Sequence, residues 1–248
     1  MPSPTRPTRL AVLISGSGSN LRALLDAVRD RPEFGGEVVV VGADRADAGG
    51  LRHAQAAGIP VVVHPLARGD DRAAWERALA DDLAAHAPDV VVLAGFMRIL
   101  SGAFLARWPD RVVNTHPSLL PAFRGAHAVR EALDYGVALT GCTVHLVDEE
   151  VDHGPILAQR AVHVLPDDSE ETLHERIKAV EHALLPACVE ALCHDRLRID
   201  GRRAVILPPA AATSVPAAPA TAPPATAPPA AAPPATTPPA SLEPEELP

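Results

Sequence analysis

The chain alternates between short runs of β-branched apolar residues and longer segments whose apolar residues recur every three or four positions. Unbroken Val-rich runs are typical of strands buried on both faces, and the three- and four-residue spacing is typical of amphipathic helices. Strands are predicted over 10–15, 37–43, 60–65, 89–96, 111–116 and 140–147, and helices over 20–29, 50–57, 71–86, 128–135 and 169–193. This order predicts an α/β fold with a mostly parallel sheet flanked by helices.

The composition changes after about Leu207, where Pro, Ala and Thr replace the alternating pattern. Such a segment has almost no apolar side chains to bury, and proline removes backbone hydrogen-bond donors. The sequence therefore predicts a globular domain over 8–207 and a disordered, partly polyproline tail over 208–248.

The formal net charge is −9, from 22 basic and 31 acidic residues. This balance argues against nucleic acid or an anionic membrane as a partner, although a small anionic substrate can still bind to backbone N–H groups. No signal peptide or membrane-spanning run is recognisable, so a cytoplasmic protein is expected. The three cysteines, Cys142, Cys188 and Cys193, form no CxxC pair and are predicted to be buried free thiols.

A glycine-rich turn, GSGSN, joins the first predicted strand to the first predicted helix. Glycine allows close backbone approach, and the helix N-terminus presents free N–H groups, so the turn suits a phosphate. A dinucleotide fingerprint requires a third glycine where Leu21 stands, although Asp44 lies where a ribose-binding acid would be expected. A triphosphate loop requires a lysine after the turn. A monophosphate site is therefore favoured over these two, and a plain strand-to-helix turn is the remaining alternative.

Asn114 and His116 are two residues apart at the end of a predicted strand, so their side chains point to the same face. The loop DEEVDHGP places Asp152 beside a Gly-Pro bend. If Asp152 reaches His116, the carboxylate favours the imidazolium, and an amide and a cationic histidine aimed at one point can stabilise an oxyanion. The alternatives are a solvated acidic turn and a metal site that also uses His127 or His145.

Arg98 follows another predicted strand, next to Phe96 and Met97. A cation beside an apolar wall suits a flat heterocycle that carries carboxylates. An arginine exposed at a helix start fits the same local pattern.

With these features, the chain resembles the folate-dependent phosphoribosylglycinamide formyltransferases of purine synthesis. The matching stretches are ISGSGSNL, PDVVVLAGFMRILS, VNTHPSLLP, VDHGPILAQ and RIKAVEHALLP, which occur in this order over roughly residues 8 to 200. The resemblance implies a Rossmann-like domain with a seven-stranded sheet, 10-formyltetrahydrofolate as formyl donor and co-substrate, 5′-phosphoribosylglycinamide as acceptor, and no metal.

The resemblance also implies roles for individual residues. Asn114, His116 and Asp152 are implied to be catalytic: Asn114 and His116 stabilise the tetrahedral oxyanion, His116 donates a proton, and Asp152 raises the pKa of His116 and helps to move a proton through water. The implied acceptor-binding residues are Gly18, Ser19, Asn20, Lys178, Ala179, Val180 and Glu181. The implied folate-binding residues are Arg72, Met97, Arg98, Ile99, Leu100, Asn114, Asp148, Glu149, Glu150, Val151 and Asp152.

Some positions depart from the family pattern. The loop PAFRGAH resembles the methionyl-tRNA formyltransferase branch, and His153 replaces a smaller residue often found before Gly-Pro. Formyltetrahydrofolate hydrolase shares the Asn, His and Asp set but carries a regulatory domain before it. A tRNA formyltransferase would need a basic RNA-binding domain, and a nucleotide-binding regulatory module would not need the catalytic set. A transferase with small-molecule substrates, as a monomer or homodimer, is expected.

Overall fold

The computed structural model describes residues 6–208 of the 248-residue chain. The strands are Thr8–Ile14 (β1), Gly36–Ala43 (β2), Val61–Val63 (β3), Val90–Leu93 (β4), Val112–His116 (β5), Leu139–Leu146 (β6), Ile156–His163 (β7), Leu197–Asp200 (β8) and Arg203–Ile206 (β9). The helices are Ser19–Asp30 (α1), Leu51–Ala56 (α2), Arg72–Ala85 (α3), Gly102–Leu105 (α4), Ala128–Tyr135 (α5) and Glu170–Cys193 (α6). The predicted tail, apart from its first residue, lies outside the described residues.

All the strands form one sheet in the order β3-β2-β1-β4-β5-β6-β7-β9-β8. Strands β1 to β5 pair in parallel, whereas β6 is antiparallel to both β5 and β7. The α/β class and the largely parallel sheet are confirmed. The sheet has nine strands rather than the expected seven, because the chain after α6 forms a hairpin, β8–β9, whose Arg203 pairs with Ile156 of β7.

Helices cover both faces of the sheet, so the core has two halves. One half packs α1, α2, α5 and α6 against the sheet, with Leu24, Leu51, Val129 and Ile177 among its buried residues. The other half packs α3 and the region of α4 through Trp75, Leu79, Phe104 and Trp108. The strands between them, such as β4 with all four residues buried, are apolar on both faces, as expected for a doubly covered parallel sheet.

Helix α6 begins at a capping box. The Ser169 hydroxyl accepts a hydrogen bond from the Thr172 N–H, and the Thr172 hydroxyl accepts one from the Ser169 N–H. Glu170 and Glu171 in the first turn complement the helix dipole. The cap satisfies backbone donors that would otherwise lack partners at the start of the longest helix.

Ser169→Ala is expected to lower the free energy of unfolding by about 1 kcal/mol, the usual contribution of an N-cap hydroxyl. Urea unfolding followed by circular dichroism measures this difference. Ser169→Thr keeps the hydroxyl and should restore most of the stability. Equal stability of the alanine variant and the wild type would contradict the contribution assigned to the cap.

Candidate active site

A cavity of about 720 Å³ opens at the carboxyl ends of the central strands. Strand β1 lies between β2 and β4. The chain continues from β1 to β2 toward one edge of the sheet, and from β4 to β5 toward the other edge. Ligands of open α/β folds bind in the crevice at such a reversal. The cavity is lined by the turn after β1, the loop after β4, the end of β5, the segment before β7 and one face of α6.

The glycine-rich turn lies at one end of this cavity, where Gly16 to Asn20 contribute to its lining. Gly18 is the N-cap of α1, with a left-handed φ of 75°, and a Cβ built there would lie 2.4 Å from the Cα of Gly50. Only glycine fits this position without a shift of the backbone. The turn therefore brings the free N–H groups at the start of α1 to the cavity wall.

Strand β5 presents polar side chains on both faces at its carboxyl end. Asn114 and His116 line the cavity, as their spacing predicts. The intervening Thr115 donates a hydrogen bond from its hydroxyl to Glu181 Oε1 on α6 at 3.1 Å.

Asp152 is held against the end of β5 by an unusual turn. Its φ is 48°, and its Oδ2 accepts a hydrogen bond from the Gly125 N–H at 2.8 Å. Two residues later, a Cβ on Gly154 would lie 1.9 Å from the carbonyl oxygen of Leu146, so the chain can pass β6 only with glycine there. The Gly-Pro bend thus sets the position of the Asp152 carboxylate.

Asp152 lies beside His116, with 3.3 Å between Asp152 Oδ2 and His116 Nδ1. The other ring nitrogen, Nε2, is 2.7 Å from the Phe123 carbonyl oxygen and donates to it. Burial lowers the pKa of His116, and the opposing effects of the Asp152 charge and the Phe123 carbonyl do not fully offset it. Asp152 thus acts on the pKa of His116 in the direction that the resemblance implies, and burial keeps that pKa below its ordinary value.

Burial also raises the pKa of Asp152, but the neighbouring His145, His116 and Gly125 N–H outweigh it. The pKa of this carboxyl consequently lies below its ordinary value. At neutral pH Asp152 is ionised, and it presents a negative charge to one edge of the His116 ring.

The Asn114 side chain is oriented by a second histidine. His145 stands opposite Asn114 in the antiparallel register of β5 and β6. Its Nδ1 lies 2.8 Å from the Leu146 carbonyl and donates to it, so Nε2 is left to accept from Asn114 Nδ2 at 3.2 Å. The second Asn114 N–H points at Asp152 Oδ1 over 3.4 Å, a long contact that a developing oxyanion can replace.

Glu181 of α6 connects the two halves of the site. Its carboxylate accepts hydrogen bonds from Asn20 Nδ2 at 3.2 Å and from the Thr115 hydroxyl. Only 4% of the residue is exposed, and burial raises its pKa. Lys178, one turn earlier on the same face, lines the cavity and pairs with Glu175 at 2.7 Å.

The loop after β4 forms the opposite wall, with Met97, Ile99 and Leu100 among its lining residues. The Ser15 hydroxyl accepts the Met97 N–H at 2.8 Å. Arg72, at the start of α3, donates to the carbonyl of Ile99 but does not itself line the cavity. These hydrogen bonds fix the loop backbone.

Arg98 lines the cavity, but its guanidinium is not free to act as an isolated cation. Its Nε donates to Asp44 Oδ2 at 2.5 Å, and the Asp44 side chain is only 2% exposed. The acid that stands where a ribose-binding group would be expected is thus paired with Arg98. This pairing provides no support for the dinucleotide alternative.

Three of the expected contact residues lie outside the cavity lining in addition to Arg72. Ala179 is exposed and Val180 packs on the core, because residues 178 and 181 share the cavity-facing side of α6 and those between them point elsewhere. The Glu149 carboxylate lies against Gly102 instead. The other expected residues line the cavity: Gly18, Ser19, Asn20, Lys178, Glu181, Met97, Arg98, Ile99, Leu100, Asn114, His116, Asp148, Glu150, Val151 and Asp152.

The polar lining residues to which the sequence gave no binding or catalytic role include Thr115, His145 and His174, although His145 was considered as a metal ligand. Thr115 and His145 have the positions described above, and His174 lines the cavity one turn before Lys178. The antiparallel register could have placed His145 opposite Asn114, and helical spacing could have placed His174 with Lys178 and Glu181.

The structure also describes the cysteines, the groups that could hold a metal ion and the helices that could span a membrane. Cys142, Cys188 and Cys193 are buried free thiols, and burial raises the pKa of each to about 12. Within residues 6–208, no group of three or more His, Cys, Asp or Glu side chains is arranged to hold a metal ion. No helix in this described part is both long and apolar enough to cross a membrane.

The fold and the site define a Rossmann-like α/β enzyme with an amide, a histidine and a carboxylate at the centre of its cavity. A formyl transferase family model matches residues 8–189, and the chain belongs to this family. It is 53% identical to the phosphoribosylglycinamide formyltransferase of Mycobacterium tuberculosis over 204 residues, which cover 82% of this chain and 93% of that protein.

Two solved structures extend the comparison. Glycinamide ribonucleotide transformylase 1 from Symbiobacterium toebii superimposes with a TM-score of 0.79 at 48% identity, over 82% of this chain and 95% of that one. A formyltetrahydrofolate deformylase from Pseudomonas syringae superimposes with a TM-score of 0.77 at 28% identity, over 82% of this chain and 67% of that one.

Proposed function

We propose that this chain transfers the formyl group of 10-formyltetrahydrofolate to the amine of 5′-phosphoribosylglycinamide, giving formylglycinamide ribonucleotide and tetrahydrofolate. The observation that carries the proposal is the placement of Asn114, His116 and Asp152 where the two halves of one cavity meet. One half offers groups suited to a phosphorylated sugar, and the other offers a loop of fixed backbone suited to a flat heterocycle.

The acceptor half is formed by the turn before α1 and by α6. We assign the phosphate to Gly18, Ser19 and Asn20, because the start of α1 concentrates N–H groups and partial positive charge there. Lys178 adds a positive charge to the same region, and the Glu181 carboxylate is placed to accept hydrogen bonds from sugar hydroxyls.

The folate half is formed by Met97 to Leu100 and by Asp148, Glu150, Val151 and Asp152. The exposed side chains of Met97 and Ile99 supply apolar surface for a ring, and backbone groups of a fixed loop can read its polar edge. Arg98, oriented by Asp44, and Arg72, bound to the Ile99 carbonyl, stabilise the loop. In this assignment both arginines act mainly by holding the loop in place.

The reaction needs no covalent enzyme intermediate. The acceptor amine attacks the formyl carbon, a C–N bond forms, and the carbonyl oxygen becomes an oxyanion that the Asn114 amide and the His116 ring stabilise. As the bond from carbon to the folate nitrogen breaks, that nitrogen gains a proton and the attacking nitrogen loses one. Asp152 accepts the proton from the attacking nitrogen through water and passes it to the His116 ring beside it. His116 then donates a proton to the folate nitrogen.

A direct test is to mix the protein with both substrates and to follow tetrahydrofolate formation with and without the acceptor. Turnover that depends on phosphoribosylglycinamide and gives the formylated product supports the transferase. Equal turnover without the acceptor would instead support a hydrolase, the activity named for the Pseudomonas syringae neighbour. No turnover under either condition would overturn the proposal.

Lys178→Met is expected to raise KM for phosphoribosylglycinamide about tenfold and to leave KM for the formyl donor unchanged, because a charge-assisted contact to the phosphoribosyl group is lost. Ala179→Gln is the matched control: it changes the next residue on α6, which lies outside the cavity, and should alter neither KM. Steady-state kinetics with each substrate varied measures both. A defect confined to the donor would contradict the assignment of α6 to the acceptor.

The domain boundaries at 8–207 and 208–248, the cytoplasmic location and the monomeric or homodimeric state stay predictions. Truncation after Leu207 is expected to leave formyl transfer intact, since every residue assigned to either substrate precedes it.

A further inference from the structure

The C-terminal hairpin, formed by β8 and β9, contacts the loop that we assign to the folate. Strand β9 pairs with β7 through Arg203 and Ile156, and Leu197, Ala204 and Ile206 of the hairpin pack against the core. At the tip of the hairpin, Gly201 has a left-handed φ of 56° and is followed by Arg202. This turn directs the Arg202 side chain toward residues 148–153.

Arg202 makes two short contacts with His153. Its Nη2 donates to the His153 carbonyl oxygen at 2.6 Å, and its Nη1 lies 2.8 Å from the ring nitrogen Nε2 and 3.3 Å from Nδ1. Because Nη1 is close to both ring nitrogens, it packs against the imidazole ring and is not in line with the lone pair of either nitrogen. One arginine thus binds both the backbone and the side chain of a residue next to Asp152.

The ring of His153 also forms a hydrogen bond with Asp148. Since a carboxylate oxygen accepts hydrogen bonds, Nδ1 carries a hydrogen and donates it to Asp148 Oδ2 at 2.7 Å. The other oxygen of Asp148 accepts the Glu150 N–H at 3.1 Å. Arg202 therefore holds His153 by its carbonyl and by its ring, and the ring in turn holds Asp148, so the three residues connect the two ends of the loop.

The inner side of this loop faces the cavity, whereas Arg202 lies outside the cavity lining. The guanidinium therefore supports the loop from behind and has no direct contact with the cavity. Glu149, Glu150 and Val151 in the middle of the loop are exposed, so their side chains add little packing to hold it.

We infer that Arg202 is a positioning residue for formyl-donor binding, acting through His153 and Asp148 to hold residues 148–152 in their binding conformation. This inference rests on the proposed function, which assigns the loop to the folate. It gives the departure at His153 a role: an imidazole can link Arg202 to Asp148, and a smaller apolar residue cannot.

The test compares Arg202→Ala with Arg203→Ala, which removes the neighbouring exposed arginine of the same hairpin. For Arg202→Ala we expect KM for 10-formyltetrahydrofolate to rise about tenfold, with KM for the acceptor and kcat at saturating donor unchanged. Hydrogen exchange of the Glu150 amide should be faster in Arg202→Ala but not in Arg203→Ala, because the Asp148 carboxylate that accepts this amide is no longer held. His153→Ala should reproduce both effects.

The outcomes separate this inference from the proposed function. If the wild type shows no acceptor-dependent transfer, the proposed function fails, whatever the exchange data show. If the wild type transfers formyl groups but Arg202→Ala matches Arg203→Ala in donor KM, the positioning role is overturned. A loss of kcat with both KM values unchanged would also overturn it, since a residue that only orders the donor loop does not act on the chemical step at saturation.

Discussion

Asp152→Asn is expected to lower kcat about a thousandfold, within the range for losing a positioned acid or base, while both KM values change little. Asparagine preserves the shape of the side chain and can still accept the Gly125 N–H, so the turn should remain. The charge beside His116 is lost. Steady-state kinetics at saturating concentrations of both substrates measures the effect on the chemical step.

The matched control is Glu149→Gln, which neutralises a carboxylate in the same loop that lies outside the cavity lining. Its kcat should stay near that of the wild type. An Asp152→Asn enzyme with wild-type kcat, or a control with an equal loss, would remove the specific role of Asp152.

The same substitution is expected to lower the pKa of His116 further. In the wild type, burial already holds this pKa below its ordinary value, and the Asp152 charge is the main opposing effect. Titration of the ring by NMR should therefore show the imidazolium losing its proton at lower pH in Asp152→Asn than in the wild type. An unchanged or higher pKa would show that the ring does not sense this carboxylate.

The sequence was sufficient to place Asn114 and His116 on one wall of a site, because the side-chain period of a strand is two and ligands bind at carboxyl strand ends. It could propose, but not establish, that Asp152 joins them. That contact depends on the left-handed conformation of Asp152 and on the close passage of Gly154 past Leu146, both of which require the register of β6 and β7.

The ion pair between Arg98 and Asp44 could not be predicted from the sequence pattern around either residue. The two residues follow different strands, and only the order β2-β1-β4 brings the ends of those strands close enough for an ion pair. The positions of Ala179 and Val180, in contrast, follow from helical periodicity alone. The resemblance implied contacts for the consecutive residues 178–181, but only the first and the last of them share a face of α6.

The hairpin formed by β8 and β9 could not be predicted from the sequence for a different reason. The alternation in β8 and β9 is short and partly exposed, so burial gives little sequence signal there. Its significance comes from one long-range contact, between Arg202 and His153, that no periodicity predicts.

His116→Gln is expected to lower kcat by about the same factor as Asp152→Asn, again with modest changes in KM. Glutamine can donate a hydrogen bond but cannot hold and release a proton near neutral pH. His163→Gln, at the exposed end of β7, is the control and should keep wild-type kcat. Wild-type turnover by His116→Gln would exclude this ring as the proton donor.

The double variant tests whether His116 and Asp152 act as one unit. If the carboxylate works through the ring, removing it after the ring is gone should cost little more, so the double variant should be about as slow as the slower single variant. If each residue contributed separately, the two losses would multiply to about a millionfold. The contact between Oδ2 and Nδ1, with the far side of the ring bound to Phe123, favours the first outcome, because the carboxylate faces the ring nitrogen directly.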